Sequence, residues 1–244
     1  MKETEPRGIT PRFLVIYGSY QDISLGLYAG SNPSCTQTAH AVRASAQLIP
    51  LVDRLLSEQK CSLTDLDFIA LDQGPGAFTS LRVVLTTMNG VAFAKQIPLI
   101  GCDGLQALAD EMVQQVGTAT TPPELVVALL NAYNNEVYYH MRRRQEDGSY
   151  VPVEQSGYAD IEDVATKIMA QGATSIWCGG NGANVYREAL VQRLGANAHI
   201  DQVLRSASLD TLARQAMQRW GEQPEPQYNL QPAYLKTQSF VKSA

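Results

Sequence analysis

The chain reads as an α/β protein of two related lobes, each a mixed sheet flanked by helices. Three observations carry that reading. The 244 residues are 45% apolar, enough for one large core or two smaller ones. The order strands, helix, strand, helix occurs once before residue 117 and begins again after residue 123, although no sequence repeat accompanies it. Between the two, Gly-Thr-Ala-Thr-Thr-Pro-Pro (117–123) has the composition of a linker. The expected division is a disordered leader (1–11), an N-terminal lobe (12–116) and a C-terminal lobe (117–244).

The elements follow from local pattern. Phe13–Tyr17 is a continuous apolar run and Ile23–Ala29 alternates, so the two predict a hairpin. A Gly/Ser/Asn/Pro turn (30–34) leads to a predicted helix from Thr38 to Glu58, with an apolar stripe at 41, 44, 48, 52, 55 and 56 and a kink at Pro50. A strand at 67–71, a helix at 78–95, a strand at 98–101 and a helix at 105–116 complete the first half. In the second half the pattern predicts strands at 125–130, 137–142, 150–154 and 175–178, and helices at 161–170, 183–194 and 209–220. The helix 78–95 is apolar around most of its circumference (Leu81, Val83, Val84, Leu85, Met88, Val91, Ala92), so it needs cover on two sides. A neighbouring helix or a second protein would supply it.

Bulk properties exclude several classes. A net charge of −5 and a pI of about 5.2 give no global attraction to nucleic acid or to anionic membranes. Arg142-Arg143-Arg144 is the one basic run, either a solvated strand end or a contact for RNA phosphates. Cysteines 35, 61, 102 and 178 lack CxxC spacing and fit reduced thiols in the cytoplasm. Residues 2–11 are polar, unlike a signal peptide, and no apolar run is long enough to span a bilayer.

The densest motif is Gly74-Pro75-Gly76-Ala77-Phe78-Thr79-Ser80-Leu81-Arg82, lying between a strand and a helix. Such loops present main-chain N–H groups to anions; Gly74 and Gly76 permit positive φ, and Pro75 stiffens the turn. It has no GK[ST] ending, so it is no Walker loop. Arg82, in the first turn of the helix, wants an acidic partner from this chain or another. Asp22 and Asp72 stand where magnesium ligands would be needed, or are plain surface carboxylates. Gly179-Gly180-Asn181-Gly182 fits an adenine or phosphate site, or a tight strand-to-helix turn. His40, His140 and His199 are too far apart in sequence for a helical metal motif, and no metal or cofactor is expected. Ser19 lacks a GxSxG elbow, and Cys178 ends a buried strand as an inert thiol.

The nonapeptide, with Ile97-Pro98-Leu99-Ile100-Gly101 after it, resembles the GPGSFTGLR…GIPLVGV block of the TsaB (YeaZ) family. Gln47–Asp53 is similar to its ERLLPLID segment, Asn131–Tyr138 to its DARRGEVY, and Gln231–Lys236 to its closing PxYLR, all in the family's order. The resemblance implies a two-lobed actin-like ATPase (ASKHA) fold. It implies a non-catalytic scaffold in tRNA threonylcarbamoyladenosine (t6A) synthesis that binds and activates a TsaD-like catalytic subunit, is joined by the ATPase TsaE, pairs with itself when alone, and meets tRNA only indirectly. The contact is expected on helices 38–58 and 78–95, through Ala41, Ser45, Leu48, Val52, Leu55, Leu81, Leu85 and Met88. Tyr17, Ala44, Ala77, Ser80 and Asn131 depart from the family's Asp, His, Ser, Gly and Asp. A carboxylate at the end of the first strand is what a rival reading, an ATP-dependent kinase or phosphatase of the actin-like superfamily, would require. A homodimer with an unrelated partner is the third reading.

Overall fold

The computed structural model describes residues 10–18, 22–40, 44–117, 121–222 and 225–235. The expected leader therefore lies outside the described residues, except for Thr10 and Pro11. Strands β1 (Arg12–Gly18), β2 (Asp22–Ala29) and β3 (Asn32–His40) form an antiparallel meander, with Phe13 opposite Tyr28 and Leu27 opposite Cys35. Helix α1 (Ala44–Glu58) leads to β4 (Phe68–Asp72), parallel to β1; helix α2 (Phe78–Lys95) leads to β5 (Leu99–Cys102), parallel to β4; helix α3 (Gly104–Val116) closes the half. The sheet order is β3-β2-β1-β4-β5.

The second sheet repeats this plan. Strands β6 (Leu125–Tyr133) and β7 (Glu136–Arg144) are antiparallel, and β8 (Tyr150–Pro152) and β9 (Gly157–Asp160) both pair with β7. After helix α4 (Ile161–Ala170), strand β10 (Ile176–Gly179) runs parallel to β6; after helices α5 (Asn181–Val185) and α6 (Arg187–Leu194), β11 (Ala198–Ile200) runs parallel to β10. Helix α7 (Leu209–Gly221) completes the second half. The matching strand order is that of the two-lobed actin-like ATPase (ASKHA) fold.

Three cores hold these layers together. Alternation in β1 sends Leu14 and Ile16 to one face, against α1 and α2, and Phe13, Val15 and Tyr17 to the other, against α3 and α7. Alternation in β6 sends Val126, Ala128 and Leu130 into that same central core, and Leu125, Val127 and Leu129 into a third core under α4 to α6. Strands covered on both faces need continuous apolar sequence, which is why β1, β4 and β6 read as unbroken runs. Phe13 stacks on Tyr28 and Phe68, and Phe68 on Trp220 of α7, with ring centroids 4.4–5.5 Å apart. Thus α7 and residues 225–235, which follow the second sheet in sequence, pack on the first one. Leu230 is buried in the α1–α2 core, and the N–H of Leu99 donates to the carbonyl of Gln227.

Several elements differ from the sequence expectation. Residues 32–40 form an edge strand, and α1 begins at Ala44 rather than Thr38. The polar sequence Asn32–His40 carries no apolar alternation, but β2 supplies a full ladder of partners. The expected helix 183–194 is two helices broken at Tyr186, and strands β9 and β11 are too short to show a period.

Candidate functional site

The glycine loop and the helix it feeds are held by the returning chain. Asp72, at the end of β4, is not the surface carboxylate expected from sequence: it is buried, and its Oδ1 accepts the N–H groups of Gly74 (2.8 Å) and Gly104 (3.1 Å). One carboxylate thereby fixes both the loop and the start of α3. Burial pushes its carboxyl up to about 7, against the pull of those two N–H groups. Gly74 adopts φ +95°, where a Cβ would also lie 2.9 Å from Leu81, so glycine is required there. Gly76 has no positive φ and open space around it, contrary to expectation. Ala77 caps α2 without a side-chain hydrogen bond.

The Gln231–Lys236 motif meets the nonapeptide in space. Gln73 donates from Nε2 to the carbonyl of Gln231 (2.7 Å), and its own carbonyl accepts the N–H of Ala233 (2.8 Å). Asn89, in the middle of α2, holds Asn229 and Leu230 through three hydrogen bonds of 2.7–3.0 Å. Arg82 donates from Nε and Nη2 to the Tyr234 hydroxyl (3.0 and 2.8 Å) and lies 5.7 Å from its ring centroid. Between α2 and this strap runs a groove of about 540 Å³, lined by Arg82, Thr86, Asn89, Gln231 and Tyr234 among others.

The structure places most of the expected contact residues inside. Leu48, Val52, Leu55, Leu81, Leu85 and Met88 are buried in the α1–α2 core, where each helix is the other's second cover. They are therefore packing residues of the monomer and not surface contacts. Ala41 lies outside the described residues; Ser45 falls in the first turn of α1, as Phe78 does in that of α2. What α2 leaves open is the stripe Thr79, Arg82, Thr86, Gly90 and Phe93, at helical spacing; Phe93 is 72% exposed, and a Cβ on Gly90 would meet nothing within 4 Å.

The residues weighed for nucleotide chemistry have structural partners. Tyr17 is buried, and its pKa is raised chiefly by burial and secondarily by Asp72. Asp22 lines a cavity between the first sheet and residues 206–210. Gly180, at φ +106°, would place a Cβ 2.1 Å from the Leu129 carbonyl oxygen, and the N–H groups of Gly180 and Asn181 donate to the carbonyls of Leu204 and Arg205 (3.0 and 2.8 Å). That turn is a packing joint. Asn131 accepts from the Tyr133 N–H (2.9 Å) and the Tyr186 hydroxyl (3.2 Å). Of the basic run, Arg142 pairs with Asp110 of α3 at 2.6 Å, and Arg143 donates to the Gln171 carbonyl. These are internal contacts, which a purely solvated strand end would lack. Cys178 is buried and its thiol pushed up to about 12 by burial alone. Among the described residues no cluster of His, Cys, Asp and Glu has metal-binding geometry, and no helix is long and apolar enough to cross a membrane.

Comparison with known proteins adds a family. The family model of TsaD, tRNA N6-adenosine threonylcarbamoyltransferase, matches residues 19–154. The tRNA threonylcarbamoyladenosine biosynthesis protein TsaB of Haemophilus influenzae is 30% identical over 120 residues, 49% of this chain and 48% of that protein. A tRNA N6-adenosine threonylcarbamoyltransferase of Nitrosospira multiformis is 33% identical over 98 residues, 40% of this chain and 27% of that one. The matched part is thus under half the length of these curated relatives. The solved structure of YeaZ from Pseudomonas aeruginosa superposes with a TM-score of 0.68 at 26% identity, covering 92% of this chain and all of that one.

Proposed function

This chain belongs to the TsaD family, in its TsaB (YeaZ) branch, and on that premise we propose that it is a non-catalytic subunit of the t6A machinery that binds and activates a TsaD-like threonylcarbamoyltransferase. The observation that carries the docking surface is the open stripe on α2. Phe93 offers an apolar anchor, Gly90 and Thr86 let another backbone approach closely, and Arg82 and Tyr234 give a polar edge. A TsaE-like ATPase would join the pair, tRNA would be met through the catalytic partner, and the same stripe would serve self-association in the partner's absence.

The ATP-dependent reading draws no support from the site. Tyr17 stands at the end of the first strand, and Asp72 serves the loop backbone. The test is binding of a threonylcarbamoyltransferase subunit to Thr86→Arg and Phe93→Asp variants. Both positions are exposed, so folding should be kept while affinity falls at least tenfold; normal pairing by both folded variants would remove α2 as the contact. Calorimetry with Mg-ATP on the isolated chain should show no turnover.

A further inference from the structure

The two sheets share a central core, and hydrogen-bonded segments that cross between the lobes decide how far one can tilt against the other. A cavity of about 390 Å³ has a floor of Tyr17, Ser24, Thr36 and Thr38 from the first sheet and a wall of residues 206–210. The segment 201–210 is tied at both ends. On the second lobe, the Asp201 N–H donates to the Cys178 carbonyl (2.8 Å), and Asp201 Oδ1 accepts the N–H groups of Val203 (2.7 Å) and Leu204 (2.9 Å), shaping a tight turn. The next two carbonyls receive Gly180 and Asn181, as described. On the other side, the Ser208 N–H donates to the Glu111 carboxylate of α3 (2.6 Å), and Asp210 accepts the Tyr28 hydroxyl of β2 (2.6 Å).

We infer that residues 201–210 act as a bolt that fixes the angle between the lobes. It connects the strand-end turn of the second lobe to β2 and α3 within ten residues, and every link is a hydrogen bond at ordinary distance. The second lobe is thereby presented at a set angle to the α2 face, so a protein touching both lobes meets a preorganised surface.

The test is an Asp201→Ala/Asp210→Ala double variant of the full chain, examined by hydrogen exchange and small-angle scattering. Amides in 179–184 should exchange at least tenfold faster, the protection of β4 and β6 should be unchanged, and the radius of gyration should rise. A folded variant with unchanged exchange at 179–184, or with faster exchange and unchanged scattering, overturns the bolt. If the double variant does not fold, Tyr28→Phe keeps the ring and removes only the hydroxyl that Asp210 accepts. Faster exchange at 204–208 then supports the inference, and unchanged exchange there overturns it.

Discussion

Two buried titratable side chains set opposite pH slopes. Asp72 is pushed up to about 7 by burial, so between about pH 4 and 7 the folded chain binds the extra proton and stability falls as pH rises. His140 is buried, bonded through Nδ1 to Ser156 (3.1 Å) and beside Arg142. Burial first, then that guanidinium, lower it to about 4, so over nearly the same window the unfolded chain binds the extra proton and stability falls as pH falls. The two effects, each on the order of 3 kcal/mol, largely cancel in the native chain. Asp72→Asn keeps an acceptor for Gly74 and Gly104 and removes the alkaline slope. Its melting temperature should match or exceed the parent's at pH 8 and drop more steeply below pH 6. Asp72→Ala strands the buried Gly74 N–H and leaves Gly104 only its 3.2 Å bond to the Gly74 carbonyl, and should cost about 1–3 kcal/mol at every pH, read by chemical denaturation. His140→Asn leaves the Asp72 slope uncompensated, so its stability relative to the parent should rise as pH falls from 6.5 to 4, read by melting temperature. None of this was legible in sequence, because Asp72 reads as a loop carboxylate until α3 is placed over it.

At the scale of elements, α2 does three jobs on three faces. It fills the core with Leu81, Leu85 and Met88, anchors the strap with Asn89, and leaves Phe93 outside. Asn89→Ala removes three hydrogen bonds to the strap, and Leu230→Ala opens a cavity in the same core, a change that typically costs about 2–5 kcal/mol. Both variants should unfold at lower denaturant, and protease should cut first within 225–235. The extent of α2 and its apolar surround were legible from its run of Leu, Val and Met. Which apolar residues face a partner was not, because α1 covers the same side, and a helical period cannot distinguish an internal neighbour from an external one. The strap was legible only as a motif. Its polar residues have no period, and their positions are set by hydrogen bonds to Gln73, Asn89 and Arg82, all more than 130 positions away in the chain.

For the whole molecule, the repeated strand order was readable because each half keeps its own buried runs, bounded by turns. The interleaving of the halves was not. Trp220 stacks on Phe68, Leu230 sits among α1 and α2, and Arg219 donates to the Gly101 carbonyl, so the first sheet is completed by residues that follow the second. A fragment ending at residue 116 lacks cover for Phe13, Phe68 and Tyr28. It should show no cooperative unfolding transition by circular dichroism, whereas residues 10–235 together should. The strap also bears on how the protein is made. A ribosome delivers the first lobe's strands before the second sheet and Leu230 only after it, so that lobe must wait with an open core while the second is synthesised. Nascent chains are therefore expected to expose the β1–β4 face to chaperones until residues 209–230 emerge, and a stall before residue 230 leaves a product that cannot seal itself.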